Sequence, residues 1–295
     1  MRKQILMLLI VPALIFTACK KDDNNNPDPQ LGTLKLSMNN LAPSETGEQY
    51  EGWIVVNGTP KSSGTFTVNA NGDLSQTSFV LNPDDLAMAS DFVLSIEPMP
   101  DGDPAPSAIK ILGGSFSGNS ASATVAHPAA LGNDFMNIMG EYILATPTTA
   151  TMDDGKSGVW FLDASDGSAG LDLPELPSGW KYEGWAVING MPVSSGTFSM
   201  VDMMDDSAPY SGTDDGGPPF PGEDFIMNAP SGLMFPTDLS EGVVVISIEP
   251  SPDNSTNPFA FKPLVGHVPA NAEVHKTYEM MDNVGGSFPS GTVSR

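Results

Sequence analysis

One segment of this sequence occurs twice. Residues 50–66 read YEGWIVVNGTPKSSGTF and residues 182–198 read YEGWAVINGMPVSSGTF, so 13 of 17 positions are identical at a constant spacing of 132 residues. Identity at this density over a fixed spacing indicates an internal duplication. The chain of 295 residues has room for two copies of roughly 100–150 residues, each long enough to build a hydrophobic core.

The repeated segment begins with an apolar run, residues 50–56, which favours a β-strand because Trp, Ile and Val are enriched in strands. The following Asn57-Gly58 is a common turn dipeptide. Pro60 comes close behind it, and a proline cannot donate a hydrogen bond to a neighbouring strand. We therefore expect a loop over residues 57–63 rather than a two-residue hairpin.

Trp53 and Trp185 occupy the same place in the two copies. A Trp on a strand either contacts a ligand or fills the core, and the burial habit of aromatic side chains favours the core. Glu51 and Glu183 precede the two tryptophans by two residues and lie on the same strand face. They either belong to a site or point into solvent, and we interpret both as solvated.

A second motif is shared, since residues 92–98 read FVLSIEP and residues 244–250 read VVISIEP. Each copy continues with a proline-rich turn and another apolar run. The second copy also begins clearly, with LPELPSGWKY at residues 173–182. Both copies therefore present strand, turn and strand in the same order.

The order of these motifs resembles the C-terminal, extracytoplasmic domain of anti-sigma-K factors. The resemblance rests on the Leu-Pro pairs before Tyr182, on the Gly-x-Pro-x-Ser-x-Gly-x-Phe pattern, and on Ser-Ile-Glu-Pro, and it covers most of both copies. It implies a shared fold. Regulatory members of that family place a helical sigma-binding domain and a membrane helix before this domain, and we expect neither in this sequence.

The first residues predict a processing signal. Arg2 and Lys3 precede an apolar run that is too short to span a membrane, so residues 1–18 are predicted to be a signal peptide. The run ends at Cys19, the only cysteine, in a context that resembles a lipobox. Lipidation of Cys19 is the prediction, and an ordinary secreted protein with an accidental cysteine is the alternative. Residues 19–30 are polar and predict a flexible tether.

The lipid defines the expected location. Several acyl chains on one residue anchor a protein stably, so we expect membrane association through Cys19 in the cell envelope, at the outer membrane. Lys21-Asp22-Asp23 resembles the surface-export signal of some Gram-negative lipoproteins, which agrees with exposure at the cell surface. A plain solvated linker is the alternative explanation of these residues.

Beyond the tether, short apolar runs alternate with Gly, Pro, Asn and Ser. This pattern predicts an all-β fold of two tandem β-sandwich-like domains, residues 31–149 and 150–295. Residues 83–90 predict one helical turn. Residues 137–145 are expected to close the first repeat, with residues 283–288 as their counterpart in the second.

The second repeat carries an insertion of 20 residues that falls within residues 199–228. The segment is rich in Asp, Gly and Pro and has no Lys or Arg, so it is predicted to be a loop. Its carboxylates suggest a calcium site, with these weak candidate ligands: Asp202, Asp205, Asp206, Asp214 and Asp215. Their spacing matches no EF-hand, and we favour a solvated acidic loop without a cofactor.

The sequence shows no catalytic constellation. Neither a nucleophile elbow, a phosphate-binding loop nor an HExxH motif is present, so we predict a protein that is not an enzyme. The sixteen methionines are interpreted as core filling rather than copper ligands. The net charge is −24, and two units more negative once Arg2 and Lys3 leave, which disfavours binding to nucleic acid.

Three functions follow from these features. The first is a non-enzymatic binding or structural module with a protein or glycan ligand. The second is a regulator of stress signalling that resembles an anti-sigma factor and acts through a membrane partner, which rests on the family resemblance alone. The third is a calcium-dependent surface adhesin that uses the acidic loop.

Overall fold

The computed structural model describes residues 31–150, 155–214, 216–252 and 255–295. Within these ranges the chain is nearly all β, with several antiparallel sheets, which confirms the predicted fold class. The signal peptide and the tether lie outside the described residues and stay predictions. Within the same ranges, no helix is long and apolar enough to span a bilayer.

The elements up to residue 144 are β1 (Gly32–Asn39), β2 (Glu48–Val56), β3 (Thr59–Phe66), β4 (Ser78–Leu81), α1 (Pro83–Met88), β5 (Ala89–Pro98), β6 (Lys110–Ser115), β7 (Ser120–Thr124) and β8 (Met139–Leu144). The later elements are β9 (Gly158–Trp160), β10 (Leu162–Asp163), β11 (Ser168–Ala169), β12 (Leu171–Asp172), β13 (Trp180–Ile188), β14 (Met191–Phe198), β15 (Gly222–Asp224), β16 (Val243–Pro250), β17 (Leu264–His267), β18 (Tyr278–Glu279), β19 (Met281–Asp282), α2 (Val284–Ser287) and β20 (Ser290–Ser294).

The helical turn predicted at residues 83–90 is α1. Asn82 caps it, because its side-chain oxygen accepts hydrogen bonds from the backbone N–H groups of Asp84 (2.8 Å) and Asp85 (3.3 Å). Pro83 opens the helix, where its missing N–H costs nothing.

Eight strands form the largest sheet, in the order β3-β2-β5-β6-β7-β20-β1-β4. The remaining strands form a sheet β14-β13-β16-β17-β19, a sheet β12-β8-β9-β15 in which β18 also pairs with β8, and the small pair β10-β11. We call the eight-stranded sheet with α1 half one, and β8 to β19 with α2 half two.

The loop predicted at residues 57–63 is wrong, because β2 and β3 form a tight hairpin. Asn57 (φ +51°) and Gly58 (φ +77°) both take positive φ, as a two-residue hairpin turn requires. Pro60 is tolerated because β3 is the edge of its sheet, where an N–H facing outward is not needed. The second copy repeats this geometry at the turn Asn189-Gly190.

The last strand of each repeat pairs with the first strand of the other. In half one, β1 lies between β4 and β20, and β20 belongs to the second repeat. In half two, β9 lies between β15 and β8, and β8 belongs to the first repeat. Strand pairing therefore crosses the predicted boundary between residues 149 and 150 in both directions, and residues 31–295 form one compact unit.

This exchange corrects one detail of the predicted repeats. The counterpart of β8 is β20, because each is the strand next to the first strand of the opposite repeat. Residues 283–288, which were expected to fill that role, contain α2 instead.

One cluster of buried apolar side chains extends through both halves, from Leu34 and Phe92 to Phe161 and Ile246. Trp53 and Trp185 are each 2% exposed, which confirms their prediction as core residues. The methionines behave otherwise, so their interpretation as core filling is wrong. Eleven are exposed: Met88, Met99, Met136, Met139, Met191, Met200, Met203, Met204, Met227, Met234 and Met281.

Candidate functional site

A chain of hydrogen bonds runs through the core of half one. The indole N–H of Trp53 on β2 donates to the hydroxyl of Ser95 on β5 (2.8 Å), and that hydroxyl donates to Oε1 of Glu97. The same carboxylate oxygen accepts the backbone N–H of Ser107 at 2.8 Å. Glu97 is 2% exposed, so its carboxylate fixes the loop between β5 and β6 from inside.

Half two repeats the first and the last hydrogen bond of this chain. The indole N–H of Trp185 donates to Ser247 Oγ at 2.7 Å. Two residues along β16, Oε1 of Glu249 accepts the backbone N–H of Phe259 at 2.8 Å. The Ser-Ile-Glu-Pro motif thus places a buried glutamate at the end of a central strand in each half, where it holds the following loop.

The prediction that Glu51 and Glu183 are solvated is wrong. They are 6% and 5% exposed, and each accepts a hydrogen bond from a serine of the paired edge strand, Ser62 and Ser194 respectively. Burial raises the pKa of Glu51 above its usual range. A period-two pattern places these side chains correctly on the Trp face but does not reveal that this face is covered.

A cleft of about 740 Å³ lies where the ends of the two Ser-Ile-Glu-Pro strands meet. Half one contributes Glu97, Pro98 and residues 42–50, whereas half two contributes Glu249, Ser255 and residues 257–260. The halves also approach each other at Gly179, where a Cβ would lie 2.9 Å from Cβ of Ala108. Both repeats thus place the glutamate of Ser-Ile-Glu-Pro in the cleft, whereas residues 42–50 line it without a counterpart from the second repeat.

The walls of this cleft carry a negative charge. Four glutamates line it, namely Glu45, Glu48, Glu97 and Glu249, against the single cation of Lys262. The Lys262 ammonium is turned toward the protein, where Nζ donates to the carbonyl of Phe259 at 2.6 Å. Burial lowers the pKa of Lys262, and the nearby Glu249 carboxylate opposes that shift.

Aromatic and proline side chains supply the apolar part of the cleft. Tyr50 and Ile109 of half one and Pro250 and Phe259 of half two are among the lining residues. The Tyr50 hydroxyl is held by the carbonyl of Ala42 at 2.8 Å, so the wall of half one is fixed by a hydrogen bond. A volume of this size with few polar groups among apolar ones is typical of ligand-binding clefts.

A second group of buried carboxyls surrounds Trp160 in half two. Asp224 is fully buried, and Oδ1 accepts the Trp160 indole N–H (2.9 Å) while Oδ2 accepts the hydroxyl of Thr148 (2.6 Å). Glu223 accepts the hydroxyl of Ser211. These contacts join β15 and β9 to residues 148–150.

Burial raises the pKa of two carboxyls in this region to about 7. They are Asp205, which accepts the Gly222 N–H at 2.9 Å, and Glu223, and the negative charge of Glu223 contributes to the shift at Asp205. A small cavity of about 130 Å³ lies beside Asp205 and Trp160. The predicted solvated acidic loop is therefore wrong for these residues, because the insertion is packed onto the core through its acids.

The candidate calcium ligands do not converge. Asp206 pairs with Lys181, the half-buried Asp205 accepts the backbone N–H of Gly222, and Asp214 accepts the backbone N–H of Ala150 at 2.8 Å. Asp202 is exposed. In the part of the chain that the structure describes, no group of three His, Cys, Asp or Glu residues is arranged to hold a metal ion.

Two of the predicted site residues, Cys19 and Asp215, lie outside the described residues. The sequence analysis missed Glu97 and Glu249 as cleft residues. The signal for them was present, because Ser-Ile-Glu-Pro is one of the few motifs that both repeats keep intact.

Comparison with known proteins found no matching family model, no matching curated sequence and no matching solved structure.

Proposed function

We propose that this protein is a lipid-anchored component of the cell envelope whose two repeats form a non-enzymatic binding module. The observation that supports it is the cleft of about 740 Å³, whose walls come from both repeats and include the Ser-Ile-Glu-Pro glutamate of each. The exchanged strands hold the two halves as one compact unit, so the cleft walls need little ordering when a ligand arrives.

The chemistry of the cleft favours a ligand that bears an amine. Four glutamates against one lysine give the walls a net negative charge, and the charge of the whole chain has the same sign. A concave surface of one sign concentrates ions of the opposite sign. Phe259 and the prolines of the cleft provide apolar surface for the rest of the ligand, so a small amine or a basic side chain beside an apolar group fits best.

The test is a ligand screen by saturation-transfer NMR with matched pairs of small amines and their N-acetylated forms. We expect the amine of a pair to bind and its acetylated form to bind at least about tenfold more weakly. If no amine binds, or if acetylated partners bind equally, the proposed ligand class is wrong.

Charge variants separate the cleft from general attraction to an acidic protein. The double variant Glu45→Gln with Glu48→Gln removes two charges from the cleft. The control Glu175→Gln with Glu279→Gln removes two charges from exposed positions elsewhere. Weaker binding in the first variant alone supports the cleft, whereas equal weakening in both would assign the binding to overall charge.

The proposed anchor has its own test. The small residues before Cys19 motivate it. Metabolic labelling with a tagged fatty acid should mark the wild-type protein and leave Cys19→Ala unlabelled. Protease treatment of intact and lysed cells then shows which side of the outer membrane the protein faces. Labelling of Cys19→Ala would contradict the anchor.

A further inference from the structure

The surface of this protein exposes thioethers in place of other large apolar groups. Among the described residues, fourteen large hydrophobic side chains are exposed, of which eleven are methionines and the other three are Leu31, Val80 and Val274. Methionine is normally among the residues most often buried. In this protein the usual preference holds for Leu, Ile, Phe and Trp but is reversed for Met.

The exposed methionines are not one docking patch. Met88 lies in α1 and Met139 in β8, whereas Met191 opens the edge strand β14 and Met281 lies in β19. They therefore occur in both halves, although β8 and β19 are neighbours. A single adaptable binding surface would need its methionines side by side.

The tryptophans and three of the tyrosines are shielded. All four tryptophans are between 2% and 4% exposed, and Tyr50, Tyr142 and Tyr182 are at most 2% exposed. Met280 is also buried, at 8%. An oxidant that reaches the folded surface thus meets thioethers before it meets the aromatic side chains that hold the core.

We propose that the exposed methionines act as a sacrificial sink for two-electron oxidants such as hypochlorous acid. The thioether sulfur is oxidised to the sulfoxide by two electrons and gains the oxygen. The chlorine of hypochlorous acid is reduced to chloride, and one proton is released. The sulfoxide is more polar than the thioether, and at an exposed position this change destabilises the fold little. The activity is independent of ligand binding in the cleft.

The experiment uses the full protein in detergent, titrated with hypochlorite and mapped residue by residue by mass spectrometry. We expect sulfoxide at the eleven exposed methionines before any at Met280, with an unchanged melting temperature throughout that range. Oxidation of Met280 or of a tryptophan at the same dose, or early loss of the melting transition, would overturn the proposal.

Variants test whether the thioethers do the scavenging. Replacing five exposed methionines by Leu, at positions 136, 139, 200, 203 and 234, keeps apolar side chains but removes the sulfur. We expect this variant to take up five fewer oxygen atoms and to protect N-acetylmethionine in the same solution less well than the wild type. The control Met280→Leu should protect as well as the wild type. Equal protection by all three proteins would refute the sink.

Discussion

The two halves place different side chains over glycines at equivalent positions. Gly64 in β3 and Gly196 in β14 share a φ of about +120°, which few side chains tolerate. A Cβ on Gly64 would lie 2.7 Å from the ring of Phe79, whereas a Cβ on Gly196 would lie 2.5 Å from the carboxyl carbon of Asp205. The ring of Phe79 covers this glycine in half one, and the carboxyl of Asp205 covers it in half two.

This difference shows what the insertion in the second repeat changes. Half one is closed by Phe79, whose burial stabilises at any pH. Half two is closed by Asp205, Glu223 and Asp224, whose carboxyls must be protonated or hydrogen-bonded to stay away from solvent. Both halves thus share the hydrogen bond from indole to serine, while the stability of the two halves should respond differently to pH.

The largest effect is expected from the exchanged strand of half one. Val293 on β20 is fully buried, so Val293→Asp should lower the free energy of unfolding by about 4 kcal/mol. Thr292→Asp on the exposed face of the same strand is the matched control and should cost less than about 1 kcal/mol. Urea unfolding followed by circular dichroism measures both. Equal losses would mean that β20 is not a central strand.

The hydrogen bond from indole to serine should contribute equally in both halves. Ser95→Ala and Ser247→Ala each remove the group that accepts the indole N–H, and each should cost about 2 kcal/mol. Because both serines are fully buried in equivalent strands and accept the same donor, the two losses should agree within about 0.5 kcal/mol. Chemical denaturation gives both values. A large loss for one and none for the other would show that the two hydrogen bonds are not equivalent.

The pH dependence should come from half two. The pKa of Asp205 and of Glu223 is about 7 in the folded protein, against about 4 in the unfolded chain. Their stabilisation is therefore complete below pH about 4 and is lost as the pH rises through about 7, by about 2 kcal/mol in total after allowing for solvent screening.

Two matched variants isolate that contribution. Asp205→Asn should flatten the fall in stability between pH 5 and 8, because the neutral amide keeps no proton to lose. Asp202→Asn changes the charge equally at an exposed position and should leave the slope unchanged. The free energy of unfolding is measured by urea titration at each pH. If it falls with the same slope in all three proteins, a group other than Asp205 is responsible for the pH dependence.

The smallest effect is expected at the surface ion pair of half two. Lys181 pairs with Asp206, and the equivalent position of the first repeat is Gln49. Lys181→Gln should cost no more than about 0.5 kcal/mol, because both side chains are partly exposed and salt screens them. Thermal melts at low and high salt check this. A loss that persists at high salt would indicate packing rather than charge.

Local pattern was enough to predict the strands and the core tryptophans. Trp53 and Trp185 lie in apolar runs with strand-forming neighbours, and α1 follows from Asn82 and the proline after it. The sequence did not predict the hairpin of β2 and β3. A proline disrupts strand pairing only in an inner strand, and the edge position of Pro60 follows from the order of strands in the sheet.

The site depended on long-range pairing that no local pattern contains. Glu97 and Glu249 meet at one cleft because β8 and β20 are exchanged between the repeats. The sequence predicted solvated acids because Asp and Glu are mostly exposed in proteins. The partner that keeps Asp224 buried, Thr148, lies 76 residues away in sequence.

The exchanged strand also sets an order of events during synthesis. Lys35 of β1 pairs with Ser294 of β20, so the sheet of half one needs residues from both ends of the folded unit. Strands β8 to β19 of half two are contiguous in sequence and can pair earlier. Half one is therefore synthesised first but completed last. Until β20 takes its place between β1 and β7, the facing edges of these two strands are unpaired, and a strand of another molecule could pair with them.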